Sequence, residues 1–193
     1  MLDALPTYVF PVLAGIVLAA ATGLRAFLPL FVLSLGARLG VVDLHANFEF
    51  LGNDFALGAL CVAAVLELAA DKIPLVDHAL DAIGLVVRPA AAFVAGLAVM
   101  AELPQAISIG LSLFAATVAL GTHVEHSKVR AGSTLMTAGF GNPVISVFED
   151  LLSWVLSVLA ILAPVIALLL LLAAFDATRR FLRRLRRRQS YST

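Results

Sequence analysis

The sequence predicts an all-α fold, a polytopic helical bundle set in a membrane, and three observations carry that reading. Hydrophobic residues make up 62% of the 193-residue chain, well above the roughly 45 to 50% typical of soluble domains. The mean hydropathy is +1.03. The apolar residues also fall in runs close to spanning length, about 20 residues, separated by short polar breaks. Such a chain holds about five or six spans as a single domain, residues 1–178, followed by a basic tail, residues 179–193. No separate soluble catalytic domain fits.

Taken in order, the first apolar stretch, Tyr8 to Leu35, exceeds one straight span and is interrupted by Thr22-Gly23-Leu24-Arg25 and by Pro29. It predicts a broken helix, with a tilted and kinked one as the alternative. Met1 to Thr7 lacks a basic region and the apolar run resumes after Arg25, so this is a retained span rather than a signal peptide. The loop Gly36 to Asp54 carries Asp43, His45, Glu49 and Asp54 against Arg38, which suits the outer side.

A second span, Phe55 to Ala70, ends at Asp71-Lys72 before Pro74. Leu75 to Val87 is amphipathic, with Asp77, Asp81 and Arg88 sharing one face, and predicts an interfacial helix or one lining a polar cavity. Pro89 to Ala101 and Gln105 to Thr122 pair across a tight turn at Glu102-Leu103-Pro104, the first member being short for a span. His123 to Asn142 is polar and rich in Gly, Ser and Thr, and reads as a cytoplasmic or re-entrant loop. Pro143 to Phe175 would reach about 50 Å as one helix, too long for a core of about 30 Å, so Pro164 is expected to divide it. Six crossings with both ends in the cytoplasm follow; a five-crossing alternative, with a re-entrant segment, places the N-terminus outside.

The zero net charge conceals an asymmetry. Seven of the 13 basic residues are the arginines between Arg179 and Arg188, which leaves six bases against 13 acids in the body of the chain. Arginines directly after the last apolar segment orient a C-terminus to the cytoplasm and rest on anionic lipid headgroups. Nucleic acid is the rival partner for such a tail, and the juxtamembrane position argues against it. Cys61 has no second cysteine to pair with and packs as a small residue.

Function is sought in the charges that interrupt apolar sequence, because a charge within the membrane is costly unless paired or hydrated. Glu67 and Asp71 are four residues apart on one helical face, and Glu149 and Asp150 lie at a similar predicted depth. Such carboxylates in low dielectric call for a bound cation, a proton, or pairing with Arg25, Lys72, Lys128 or Arg130. His123 and His126, three apart, could join a metal site, but no further ligand stands at a recognised spacing. Asn142, before Pro143, reads as a helix N-cap, and the helix start it marks could receive an anionic headgroup near Lys128 and Arg130. Gly23 to Ala26 and Lys128 to Gly132 each place an arginine beside a break, a possible weak internal repeat of the kind that transporters carry. Ser146 and Ser153 lie in apolar helix without a clear base partner, and no hydrolase, zinc or nucleotide motif is present.

Four blocks together resemble the domain-of-unknown-function family 4126 of small bacterial membrane proteins. They are Gly23-Leu24-Arg25-Ala26-Phe27-Leu28-Pro29; Leu66-Glu67 with Ala70-Asp71-Lys72-Ile73-Pro74 and Asp77; Arg88-Pro89; and Gly139 to Pro143 with Ser146, Glu149 and Asp150. The resemblance covers essentially the whole chain. It implies a multi-pass helical protein of the bacterial inner membrane and supplies no function.

The residues lead to a small transporter or channel, not an enzyme. In it Glu67, Asp71, Glu149 and Asp150 bind a cation or proton, Arg25, Lys72, Lys128 and Arg130 balance charge or gate, and Asp77, Asp81, His123, His126 and Asn142 form a possible additional polar site. No cofactor is called for, and short spans point to a homo-oligomer. The alternatives are a lipid-handling protein that guides an anionic headgroup past Arg25, Lys128 and Arg130, and a non-catalytic membrane scaffold.

Overall fold

The computed structural model describes residues 4–72, 74–137 and 141–189, with side chains over 7–72, 81–137 and 141–180. The described residues form seven α-helices: α1 (Ala4–Leu24), α2 (Phe27–Arg38), α3 (Asp54–Ala70), α4 (Pro74–Val99), α5 (Gln105–Thr137), α6 (Asn142–Leu162) and α7 (Pro164–Gln189). A 3-10 helix, Ala46–Gly52, precedes α3 and meets it at 68°. Four described helices are long and apolar enough to cross a membrane, and up to five if that bent pair counts as one span. The helical membrane bundle is as expected, at the lower edge of the five or six spans.

The helix ends sort into two groups. Pro11 of α1, Val42 after α2, Val99 of α4, Ala160 of α6 and Pro164 of α7 line one cavity of about 530 Å³. At the opposite end, Arg25 meets Asp71 beyond α3 and Ser146 in the second turn of α6. Successive helices therefore alternate in direction, and α1 and α2 form a hairpin whose tip is Arg25-Ala26. The start of α1 and the arginine-rich end of α7 consequently lie at opposite ends. That is the arrangement of the five-crossing alternative, and it arises because α2 doubles back instead of extending α1. Asp43, Glu49, Asp54 and Glu102 sit at the first end; Arg25, Lys72, Arg88, Lys128, Arg130 and α7's arginines sit at the second.

α1 is the axis of the bundle, packed by α2, α4, α5, α6 and α7. Apolar on all sides, it has nothing to present to water, and Val17 to Ala21 are almost wholly buried. Its partners approach closely through small residues, with Ala19, Ala92, Ala115 and Ala119 forming one buried cluster. α3 instead packs on α2 and the 3-10 helix, and leaves Phe55, Val62, Val65 and Leu66 exposed.

Two segments differ from expectation. Pro89 lies within a continuous α4, so the short apolar piece after it is the second half of a 26-residue helix. α5 likewise runs unbroken for 33 residues through His123 and Arg130. The hydroxyls that suggest a loop there turn back onto the helix: Thr134 Oγ1 donates to the Arg130 carbonyl at 3.0 Å and Thr137 Oγ1 to that of Ser133 at 2.8 Å. Ser108, Ser112, Ala115, Ala119, His123, His126, Arg130 and Ser133 then form one buried stripe at steps of three or four. Arg25 thus sits at a helix break and Arg130 within a helix, so the two suggested repeat units are not locally equivalent. Asn142 is not an N-cap either. It is the first residue of α6 after Gly141, and its Nδ2 donates to Thr134 Oγ1 at 2.9 Å, tying α6 to α5. Gly139 and Phe140 lie outside the described residues.

Gly23 tests the close packing. A Cβ there would collide with the Ala119 carbonyl oxygen and stand 2.6 Å from Thr122 Cβ, whereas one at Gly110 meets nothing within 4 Å. Gly23→Ala is expected to cost about 1 to 3 kcal/mol as overpacking, and Gly110→Ala to be neutral or slightly stabilising. Thermal unfolding of the two variants in the same detergent checks this.

Candidate functional site: a buried charge layer at the hairpin tip

Breaking a helix in an apolar interior exposes carbonyls at one side of the break and N–H groups at the other. Charged side chains from distant helices meet both. The Ala21 carbonyl accepts from Ser153 Oγ at 3.1 Å, and the Gly23 carbonyl accepts from Arg88 Nη1 at 3.0 Å. Across the break, Ala26 offers no capping side chain to α2. Glu67 of α3 does this instead, with Oε1 accepting from the Ala26 N–H at 2.7 Å and Oε2 from the Phe27 N–H at 3.0 Å. Cation at the C-terminal side and carboxylate at the N-terminal side match the helix dipoles.

Arg25, 1% exposed, projects from this break into the acids. Its Nε donates to Asp150 Oδ1 at 2.5 Å and its Nη2 to Asp71 Oδ2 at 2.6 Å and Ser146 Oγ at 3.1 Å. Asp71 Oδ2 also accepts from Arg130 Nη2 at 2.7 Å and from Ser146 Oγ. Lys72 Nζ donates to Asp150 Oδ2 at 3.0 Å and to Ser146 Oγ. Ser146 therefore has charged neighbours that its sequence context does not reveal. Its neighbouring lysine is ion-paired, however, and the hydroxyl serves as a hub between Asp71, Lys72 and Arg25.

The layer continues through Arg130 Nη2, 3.3 Å from Glu149 Oε2, to His126, whose Nδ1 lies 2.5 Å from Glu149 Oε1. That approach lacks hydrogen-bond geometry, and neither ring nitrogen of the buried His126 has a hydrogen-bond partner. Beside it, His123 Nδ1 stands 2.5 Å from Arg88 Nη1, and Nε2 is 3.2 Å from the Asp81 carbonyl. A guanidinium can only donate, so Nδ1 is the acceptor and the proton of this ring is on Nε2, shared with Asp81 O. Arg88 Nη2 is 4.0 Å from Asp81 Oδ1.

Glu67, Asp71, Glu149 and Asp150 are thus brought together with Arg25, Lys72 and Arg130, while Asp81 and His123 form an adjoining group with Arg88. Lys128 is elsewhere: half exposed, it pairs with Glu125 at 2.8 Å on the surface of α5. Asp77 belongs to α4, but its side chain lies outside the described residues. Sequence reasoning passed over Arg88, Ser146 and Ser153 as site residues. A signal existed: Ser146, Glu149, Ser153 and Ser157 fall on one face of an otherwise apolar α6, a polar stripe that must point inward. Among the described residues, no group of three or more His, Cys, Asp or Glu is placed to hold a metal ion.

Two apolar-walled cavities border the layer. One, of about 310 Å³ between α3 and α4, reaches Arg25, Glu67, Asp71 and Arg88. The other, of about 460 Å³ between α5, α6 and α7, reaches His126 and Glu149.

Removing Glu67 leaves two N–H groups of α2 without their carboxylate, and removing Asp71 leaves two arginines facing each other. Glu67→Ala and Asp71→Ala are each expected to cost about 3 to 5 kcal/mol, the usual penalty for breaking a buried charge group. Lys128→Ala, at a surface pair, should cost less than about 1 kcal/mol. Unfolding midpoints in detergent give the ranking; a Lys128 variant as damaged as the Glu67 variant would refute it.

The family model described as a domain of unknown function (DUF4126) matches residues 12–184. No curated protein and no solved structure matches the chain. With the match spanning α1 to α7 and every residue of the charge layer, the chain belongs to the DUF4126 family.

Proposed function

We propose that this protein is a small proton-coupled membrane transporter in which the buried charge layer is the coupling site. The observation that supports this most directly is the contact between His126 and Glu149 at the edge of the layer. Among the described residues, Asp71, Glu149 and Asp150 are joined through Arg25, Lys72 and Arg130, and Glu67 adjoins them through the Ala26 and Phe27 N–H groups. Arg88 stands beside them, 4.0 Å from Asp81 Oδ1 and within electrostatic reach of Glu67. His126 Nδ1 lies 2.5 Å from Glu149 Oε1, with Arg130 on the carboxylate's other oxygen, and the contact can hold one proton. Departure of that proton must be compensated by another cation or by movement of the helices.

The fold supplies elements suited to such movement. Arg25 rides on the tip of a broken hairpin and couples α1 and α2 to α3, α5 and α6 through one shared carboxylate, Asp71. The collection of bases at the end that carries Arg179 and Arg180 supports a cytoplasmic placement of that end, with the charge layer near the inner leaflet. Arg179 packs over the Phe175 ring at 4.1 Å and Arg180 pairs with Asp176 at 2.6 Å, and an arginine-rich tail of this kind suits anionic headgroups. A homo-oligomer covering the exposed apolar face of α3 completes this reading.

A second reading has its own support: Glu67 and Asp71 are so fully engaged that the layer also serves as a lock between helices. The two readings diverge at Glu149. In proteoliposomes with a clamped membrane potential, an imposed pH gradient and an entrapped pH dye, the wild-type protein should carry protons when an organic cation is present on the opposite side. Glu149→Gln should lower that flux by at least about tenfold while the folded fraction stays unchanged. Flux that persists in the Gln variant eliminates Glu149 as the coupling group, and a variant that fails to fold assigns the pair to the lock.

A further inference from the structure

We infer that the cavity between α3 and α4 is a binding site for an uncharged amphiphile that presents a carbonyl oxygen on an apolar body, with Arg88 as the group that receives it. The site stands apart from the His126 and Glu149 pair and does not depend on transport. α3 packs on α2 and the 3-10 helix, and α4 on α1 and α5, so among the described residues α3 and α4 stand side by side with little packing between them. The space left there, about 310 Å³, is walled by Phe27, Leu66, Ile83 and Val87. Leu66 and Ile83 are exposed, so the cavity opens sideways toward lipid. Its volume lies at the lower end of the range of small-molecule sites, which are mostly apolar with a few placed polar groups.

Arg88 is the second observation. Its side chain is only 5% exposed, and yet its guanidinium is only partly used. Nη1 serves the Gly23 carbonyl and His123 Nδ1, while Nη2 lies 4.0 Å from Asp81 Oδ1, beyond hydrogen-bond reach, and Nε makes no hydrogen bond among the described residues. The sealed, unbonded side-chain atoms of the interior include Arg130 Nε and both ring nitrogens of His126 but neither Nε nor Nη2 of Arg88, so these two groups meet open space. Gly84, one turn before Arg88 on α4, leaves them uncovered, because a Cβ there would stand 3.1 Å from Arg88 Nε. Both residues line the cavity. Nε and Nη2 share one edge of the planar guanidinium, so a single acceptor oxygen set against that edge takes both N–H bonds.

Charge selects the class. Arg25 and Asp71, which also reach the cavity, are paired with each other at 2.6 Å, and Glu67 is held by the N–H groups of Ala26 and Phe27. An anion placed on Arg88 would stand beside Glu67, whose charge Arg88 already offsets. A cation would meet the guanidinium groups of Arg25 and Arg88, with the carboxylates already engaged. A carbonyl oxygen adds no charge and supplies the acceptor that the open edge of Arg88 lacks, which matters because donors kept from water are costly to leave unbonded. The apolar body of the ligand then lies along Leu66, Ile83 and Val87, toward lipid. Membrane quinones and glycerolipid esters both present this chemistry from within the bilayer.

The test uses full-length protein in nanodiscs of ether-linked phospholipid, which brings no ester carbonyl of its own. Tritiated decylubiquinone and tritiated dioctanoylglycerol are titrated separately, with unlabelled decanoate and decylbenzene as competitors. At least one probe is expected to bind saturably, and the tighter one identifies the source as quinone or ester. Decylbenzene, which is apolar and has no acceptor oxygen, should leave the probe bound. Gly84→Ala, which covers Arg88 Nε with a methyl group in a helix that favours alanine, should weaken binding at least about tenfold. Ala63→Phe, which fills the cavity from α3 without touching Arg88, should do the same and guards against a Gly84 variant that misfolds. Binding of neither probe, displacement by decylbenzene or decanoate as effective as by the unlabelled probe, or unchanged binding in either folded variant overturns the site.

Discussion

The pairing of Glu67 with the two free N–H groups of α2 is the contact on which the rest of the structure depends. A helix that stops inside an apolar bundle has exposed backbone dipoles that lipid cannot satisfy. Here the carboxylate from α3 takes the N-terminal side of the break and Arg88 from α4 takes the C-terminal side. With both held, α2 can double back along α6 instead of extending α1. That reversal determines the placement of everything that follows: it returns the chain to the acidic end, sends α3 inward again and brings Asp71 against Arg25.

The same constraint explains why α1 is central. Its neighbours approach closely because Gly15, Gly23 and Gly96 and a set of alanines leave room for backbone to meet backbone. Lipid offers no hydrophobic force between helices, so this close van der Waals fit and the polar layer share the task of holding the bundle. The division is spatial. Small residues fill the space around α1, and charges gather at the tip of the hairpin, where the broken backbone already requires them.

The charge layer is nearly self-sufficient, and its acids differ in what holds them. Asp71 and Glu67 are saturated with donors, while Glu149 faces a histidine whose ring nitrogens have none. The saturated acids belong to the architecture. The His126 and Glu149 pair borders the larger of the two cavities beside the layer.

Much of this was legible in the sequence. Hydropathy alone determined a helical membrane bundle, Pro164 marked the division of the last apolar run, and Thr22 to Arg25 marked a break, because these features are local and the bilayer allows few alternatives. The cost of charge in lipid also singled out Glu67, Asp71, Glu149, Asp150 and Arg25. The direction of α2 was not legible, since a reversal and a kink leave the same letters at Arg25. Nor was the continuity of α4 through Pro89 and of α5 through Arg130, where packing and hydroxyls bonded back to the helix override the local signals of a break. Lys128 and Arg130, two residues apart, differ most of all: one faces outward to Glu125 and the other is buried between Asp71 and Glu149. The sequence by itself determined which charges must find partners. Only the tertiary structure decided which partners they found, because helix direction and rotation, set by contacts between residues as far as 132 positions apart, choose the facing side chains.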